Sequence, residues 1–305
     1  MLYGIVDIGS NTVRLNIYRC NNDKISLVIS KKETLGLVFY INNGILTDKG
    51  IEKLLTVLQE MKDSLDYLKI DNYSFFATAS LRNIKNSTDV IQIIKKDTGL
   101  EIDLLSGEEE GNLSFCGSIQ IIKEDNGILI DLGGGSVEIV FFEDKKIKKG
   151  YSIPIGSLKM FNEYVSDIIP NKEESILIKE RTTLELDKIG LRFPGKIPFM
   201  CGVGGSIRAI EKILLNLDLI EKKSEIIDLK KLEQLEIKLN LNVQDFNNKD
   251  IYDQILHVKP SRIHTLIPAL LILEAITSYF GCEELEISKF SVREGYLYTK
   301  ILKRF

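Results

Sequence analysis

The sequence predicts a duplicated α/β fold, two domains in which strands and helices alternate around an internal repeat. Three observations carry this reading. The chain has 305 residues, about twice the ~150 of one domain. Extended and helical patterns alternate through its first third. A strand–Asp–x–Gly–turn–strand unit also occurs twice, as Ile5-Val6-Asp7-Ile8-Gly9-Ser10-Asn11 and as Ile130-Asp131-Leu132-Gly133-Gly134-Gly135-Ser136. Such self-similarity is the mark of duplicated units facing one another across a cleft, with coincidental turns the alternative, because Asp-x-Gly is common in turns. Hydrophobic residues at 44% and charged residues at 28% are ordinary globular usage, which excludes disorder and fibrous repeats.

The elements follow in order. Gly4 to Ile8 and Val13 to Arg19 read as strands about a turn at Gly9-Ser10-Asn11, and Lys24 to Ser30 as a third strand. Thr47 is a helix N-cap, because Ile51, Leu54, Leu55, Leu58, Met61, Leu65 and Leu68 then keep helical spacing. Tyr73 to Ala77 is a buried-type strand, Ser87 to Lys96 a helix ending at Gly99, and Glu101 to Leu105 a short strand. Gly107-Glu108-Glu109-Glu110 starts the next helix. The second unit opens near Gly127 with strands Ile128 to Asp131 and Val137 to Phe142. Lys145 to Lys149 reads as a lysine-protected edge strand, with guidance of a polyanion as the other use. Ile197 to Cys201 is a strand entering Gly202-Val203-Gly204-Gly205-Ser206, which opens a helix through Leu215. Helices at Leu229 to Leu239 and Pro260 to Phe280, a strand at Leu285 to Ser288 and a helix from Val292 to Leu302 complete the chain. Asn240 to Asp253 is polar, in short helices or loop.

Charge and composition narrow the function. Lys+Arg 40 against Asp+Glu 44 leaves a net charge of -4, which argues against nucleic-acid binding, since that needs a basic excess. A small phosphorylated ligand needs only local donors. No charged n-region or apolar h-region opens the chain, so no signal peptide is expected. The longest apolar stretch, Leu266 to Ile276, is interrupted by Pro268 and Glu274 and falls short of the ~20 residues of a membrane span. Cys20, Cys116, Cys201 and Cys282 are scattered, as small buried hydrophobes of a reducing compartment. His257 and His264 lack partners at zinc-ligand spacing. These features describe a soluble cytoplasmic protein with no membrane partner.

Three glycine-rich turns follow buried strands: Gly9-Ser10-Asn11, Gly133-Gly134-Gly135-Ser136 and Gly204-Gly205-Ser206. Backbone N–H groups in such turns, free of Cβ obstruction, can converge on phosphate oxygens. None has the Walker or G-x-G-x-x-G spacing. Asp7 and Asp131 each end an apolar strand, either forming an Asx-type turn or holding a divalent cation. As a repeated pair they favour the metal, and Glu138 is a third acidic candidate.

These motifs occur in an order that resembles the exopolyphosphatase/guanosine pentaphosphate phosphohydrolase family. The stretches that carry the resemblance are Asp7 to Arg14, Ala77 to Asn86, Ser106 to Glu110, Ile130 to Glu138, Pro154 to Ser157, Gly202 to Ala209, Ile267 to Ala269 and Ser291 to Gly295. The resemblance implies two ribonuclease-H-like domains of the actin/Hsp70/sugar-kinase superfamily with an interdomain cleft. They would span 1–122, with a returning C-terminal helix 292–305, and 123–291. It implies Mg²⁺ or another divalent cation, and release of terminal phosphate from polyphosphate or of the 5′ γ-phosphate from guanosine pentaphosphate. Glu110 falls on the family's general base; the physical need is a carboxylate that takes a proton from water. Arg82 falls on its phosphate clamp, and Asp131 and Glu138 on its metal positions. Gly133 to Ser136 and Gly204 to Ser206 fall on the phosphate loops, with Asn11 and Arg14 bordering the cleft.

The chain departs from the family at three places. Gly111-Asn112 stands where Ala-Arg is common, Thr34-Leu35-Gly36-Leu37-Val38 where Arg-Leu-Gly-Glu-Gly is frequent, and Arg262-Ile263-His264 where Arg-Ala-Asp is frequent. The losses at Thr34, Leu37 and Asn112 bear on long-chain affinity. A kinase of the same superfamily and a non-catalytic guanosine tetra/pentaphosphate sensor are the alternatives. Homodimerisation through an amphipathic helix is a further option.

Overall fold

The computed structural model describes residues 1–21, 24–190, 196–222, 224–239, 252–253, 255–256 and 260–304. By compactness the chain divides into Met1–Gly107 and Glu108–Phe305. Of the polar stretch Asn240 to Asp253 only Tyr252 and Asp253 are among the described residues, and His257 lies outside them.

The first unit runs β1 (Leu2–Ile8), β2 (Thr12–Cys20), β3 (Ile25–Thr34), a short ribbon β4 (Ile41–Asn42) and β5 (Ile45–Leu46), and α1 (Asp48–Tyr67). There follow β6 (Tyr73–Ala77), α2 (Ala79–Arg82), α3 (Ser87–Thr98) and β7 (Ile102–Leu104). Its sheet has the order β3-β2-β1-β6-β7. The first three strands form an antiparallel meander, and β6 and β7 add in parallel. Thr47 caps α1 as its spacing predicts, its Oγ1 accepting from the Gly50 N–H at 3.3 Å. Leu54, Leu58, Met61 and Leu65 then stack one face of α1 into the core. Gly99 ends α3 at φ 70°, a left-handed cap that suits glycine.

The second unit runs α4 (Gly107–Ser118), which begins at the division, then β8 (Gly127–Leu132), β9 (Val137–Glu143), β10 (Lys146–Ile153), α5 (Ser157–Tyr164) and α6 (Lys172–Lys188). It continues through β11 (Phe199–Val203), α7 (Ile207–Asn216), β12 (Ile226–Asp228), α8 (Lys230–Lys238), α9 (Ile263–Phe280), β13 (Glu284–Ile287) and α10 (Val292–Tyr296). The order β10-β9-β8-β11-β13-β12 repeats the first sheet in its first five places: an antiparallel meander, then two parallel strands. The repeated Asp-x-Gly hairpin is thus the first turn of the same ribonuclease-H-like sheet built twice. β10 is an edge strand, as its lysines predict.

Two features differ in extent from the sequence reading. The contact division falls after Gly107, earlier than Ile122, and the last helix groups with the second unit. The reason is a tight helix seam: Gly295 of α10 lies against the Leu113 carbonyl of α4, and Gly117 of α4 against the Ser291 carbonyl. Secondly, α9 extends beyond the apolar run to 18 residues and is long and apolar enough to cross a membrane by length and composition. It is 72% buried within the protein, packed with α5 and α6 around Ile267, Leu270 and Leu271, so here it is a core helix.

A half-buried ion cluster joins three of these helices. Lys179 of α6 lies 2.7 Å from Glu236 of α8 and 2.8 Å from Glu274 of α9. Burial pushes the Glu274 carboxyl up to about 8, helped by its hydrogen bond to Glu236 and opposed by Lys179. Burial also disfavours charge on Glu236, but the hydrogen bond from Glu274 and the ammonium of Lys179 outweigh it and hold that carboxyl low. The pair therefore keeps one proton at neutral pH. A folded pKa above the unfolded value gives stability that is present at low pH and fades as pH rises toward that value. Glu274→Gln mimics the protonated form, so its stability relative to wild type should climb between about pH 5 and about pH 8 by a few kcal/mol, read as a widening gap in melting temperature. Parallel melting curves across this range would contradict the shared proton.

Candidate active site

In each unit the Asp-x-Gly turn lies at the carboxyl end of a strand that has a parallel neighbour, where loops rather than sheet take up the backbone.

In the first unit β1 ends at Ile8 and the chain turns through Gly9, Ser10 and Asn11, closed by Gly9 N–H to Thr12 O at 3.0 Å. Two donors from the next segment, Leu35 N–H and Gly36 N–H, bond the Asn11 carbonyl at 3.0 Å each. This segment includes Leu37, which is fully buried in the core. Cross-strand register pairs Asp7 with Arg14, a carboxylate opposite a guanidinium. At the end of the neighbouring strand β6, Ser80 Oγ donates to the Ile8 carbonyl at 2.5 Å. Arg82 closes α2 and donates through Nη1 to the Leu105 carbonyl at 3.0 Å. That bond holds the guanidinium beside the end of β7.

In the second unit the equivalent hairpin has the same closure, Gly133 N–H to Ser136 O at 3.0 Å, but a different cross-strand pair. Here Asp131 faces Glu138. Directly opposed residues on neighbouring strands stand on one face about 5 Å apart, and these two are 9% and 1% exposed. Two buried carboxylates side by side need positive charge nearby or a shared proton. Arg208 of α7 supplies part of it: burial holds its guanidinium below the usual arginine range, Arg293 pushes the same way, and Asp131 and Glu294 pull back. Glu138 is fixed from both sides, its Oε1 accepting from Ser136 Oγ at 2.6 Å and Ser152 Oγ at 2.8 Å.

The turn itself is held from behind. Ser157 N–H bonds the Gly133 carbonyl, and Leu158 and Lys159 N–H bond the Gly134 carbonyl, at 2.9 to 3.0 Å. In a planar trans peptide the N–H points opposite to the C=O. With both carbonyls drawn to the start of α5, the amides of Gly134 and Gly135 are turned away from it, the arrangement an anion cradle needs. Gly156 makes this approach possible, since a Cβ there would lie 2.5 Å from Gly134 C and Gly135 N. The third turn lies beside the first: Gly204 has φ 116°, and a Cβ on it would sit 2.7 Å from the Leu132 carbonyl and 3.5 Å from Asp131 Oδ1. Ser206 Oγ is 3.3 Å from Ser157 Oγ and accepts from Arg262 Nη1 at 3.0 Å.

Of the Glu108-Glu109-Glu110 run, Glu108 and Glu109 are exposed and only Glu110 is buried. Glu109 instead reaches Lys300 at 3.2 Å. The helix bearing them lies against the acidic pair: a Cβ on Gly111 would be 3.3 Å from Glu138 Cβ, and Ser114 Oγ donates to Asp131 Oδ2 at 2.5 Å.

The second unit thus brings together Asp131, Glu138, two glycine turns and the helix of Glu110. Asp7, Gly9 to Asn11, Arg14 and Arg82 belong to the first unit. Among the described residues no group of three or more His, Cys, Asp or Glu side chains is placed to hold a metal. The donor set that fits a cation is the Asp131–Glu138 pair, two hard oxygen ligands with their charge uncompensated by each other. Sequence reasoning did not single out Ser114, Ser157, Arg208 or Arg262. Ser157, Arg208 and Arg262 stand inside quoted motifs and were within reach; nothing in the sequence marks Ser114.

The sequence-family model for the Ppx/GppA phosphatase family matches residues 16–304. Exopolyphosphatase 1 of Mycobacterium bovis is 27% identical over 190 residues, covering 61% of this chain and 55% of that protein. A bifunctional 3-dehydroquinate synthase/phosphatase of Fusobacterium nucleatum is 27% identical over 299 residues, 93% of this chain and 44% of that protein. The chain therefore spans about half the length of these relatives. The solved structure of an exopolyphosphatase from Cytophaga hutchinsonii superposes with a TM-score of 0.83 at 21% identity, covering 98% of this chain and 97% of that one, which shows a shared fold.

Proposed function

Because the chain belongs to the Ppx/GppA phosphatase family, we propose that it hydrolyses terminal phosphoanhydride bonds, releasing inorganic phosphate from polyphosphate or the 5′ γ-phosphate from guanosine pentaphosphate. The observation that carries this reading is the buried Asp131–Glu138 pair beside a glycine turn whose amides face outward. It is an arrangement suited to a phosphate and a cation together.

Each residue then has a task. Asp131 and Glu138 would hold Mg²⁺, a cation that needs few protein ligands. When bound, the cation offsets charge on the phosphate. Gly133 to Ser136 and Gly204 to Ser206 donate amide hydrogens to phosphate oxygens. Arg82 offers a planar guanidinium for two-point contact with phosphate. Glu110 takes the proton from the attacking water; the terminal P–O bridge breaks, and the departing phosphate oxygen leaves with the electron pair. Asp7, facing Arg14 rather than a second carboxylate, serves its turn and keeps Arg14 in place rather than holding metal.

Phosphate release from polyphosphate and from guanosine pentaphosphate, with Mg²⁺ and after chelation, tests this. Mg²⁺-dependent release from at least one substrate is expected. Tight guanosine tetraphosphate binding without turnover would favour the sensor, and ATP-dependent phosphorylation of a sugar or acetate the kinase.

A further inference from the structure

Resting on the reading of Asp131 as a cation ligand, we propose that Ser114 is a positioning residue that makes Asp131 meet the divalent cation through one oxygen and so favours Mg²⁺ over Ca²⁺. Ser114 is fully buried and sits one helical turn after Glu110, so the two share a face of α4. Its hydroxyl donates to Asp131 Oδ2 at 2.5 Å, a short, charge-assisted contact. On the same face Gly111 has no side chain to hold α4 off β9, where a Cβ would be 3.0 Å from Val140 Cγ2 and 3.3 Å from Glu138 Cβ. That close seating brings a side chain as short as serine within reach of the β8 carboxylate.

The two oxygens of Asp131 are thereby distinguished. Oδ2 is engaged by the helix, and Oδ1 lies on the side of the Gly204 turn, 3.5 Å from where a Cβ on Gly204 would stand. A carboxylate held this way meets a cation through Oδ1. Mg²⁺ accepts single-oxygen ligands in a tight octahedron, whereas Ca²⁺ readily takes both oxygens of one carboxylate. Partners behind a ligand typically change metal affinity 10–100-fold when removed.

The test is calorimetric titration of Mg²⁺ and Ca²⁺ into wild type, Ser114→Ala and Ser114→Cys, alongside circular dichroism and the Mg²⁺ dependence of phosphate release. Cysteine keeps the volume and loses most of the donor strength. Both variants should bind Mg²⁺ about tenfold more weakly, with Ca²⁺ affinity unchanged or raised, and turnover at saturating Mg²⁺ should fall much less than affinity. Should Ser114→Ala not fold, Ser114→Cys decides. Wild-type Mg²⁺ affinity and an unchanged Mg²⁺-to-Ca²⁺ preference in a folded variant would overturn this proposal alone. Absence of cation binding in wild type would overturn it together with the metal reading beneath it.

Discussion

Glu110→Gln is expected to leave a folded protein whose phosphate release is slower by about two orders of magnitude or more. Glutamine keeps the volume and hydrogen-bonding reach of the side chain and removes the one property a base needs, and such groups typically contribute 10²–10⁴-fold. The competing role for this carboxylate is electrostatic: three acidic residues in the first turn of α4 complement the helix N-terminus, worth under ~1 kcal/mol each. The two roles predict different results. Under the electrostatic role Glu108→Gln, Glu109→Gln and Glu110→Gln behave alike, with slightly lowered stability and intact turnover. Under the catalytic role only Glu110→Gln loses activity, because it alone of the three is buried while the other two are exposed. Measuring turnover and melting temperature for all three variants separates them.

The largest effect on stability is expected from Gly295→Ala. A methyl group there would be driven into the Leu113 carbonyl of α4, a backbone atom that no rotamer change can move. The seam is tight a second time at Gly117 and the Ser291 carbonyl. A capping box on Ser291 and Glu294 also fixes where α10 begins, so neither helix can slide away without breaking hydrogen bonds. Overpacking of close-packed elements costs about 1–3 kcal/mol and more when backbone must shift; the upper part of that range applies here. Because α4 bears Glu110 and Ser114, activity should fall with stability even though Gly295 has no chemical role. Calorimetric unfolding checks this: a melting temperature equal to wild type would mean that the two helices are not seated as described.

What the sequence disclosed depended on whether side-chain type followed burial. In α1 it did, since Leu54, Leu58, Met61 and Leu65 are both apolar and buried, and the helix and its Thr47 cap could be read directly. In α6 it did not. Its buried face carries Ser175, Thr182 and Glu185 beside Ile178 and Leu186, while Ile176, Leu177 and Leu184 stand about half exposed. The periodicity is blurred, and a 17-residue helix passed unnoticed. The short helix α5 also escapes a reading by period: in eight residues its buried Leu158 and Met160 are too few to repeat.

The site divides along the same line. Asp131, Glu138 and the glycine turns were legible because strand–Asp–x–Gly repeats, and backbone chemistry of that kind is written in glycine spacing. The repeat alone does not distinguish Asp7 from Asp131. Seven residues further on, one hairpin has Arg14 and the other Glu138, and cross-strand register converts that single difference into a neutral pair and an anionic pair. Ser114 was invisible because serine in a helix has many uses, and only the contact with Asp131 chooses among them.

Hydrolysis requires that water, rather than an acceptor hydroxyl, attacks the terminal phosphorus. Incubation with polyphosphate and Mg²⁺ in ¹⁸O-labelled water tests it directly, with mass analysis of the phosphate released. Inorganic phosphate carrying one ¹⁸O per molecule, with the chain shortened by one unit each time, is the expected result. Phosphate without label, or no release from polyphosphate or guanosine pentaphosphate, would contradict it.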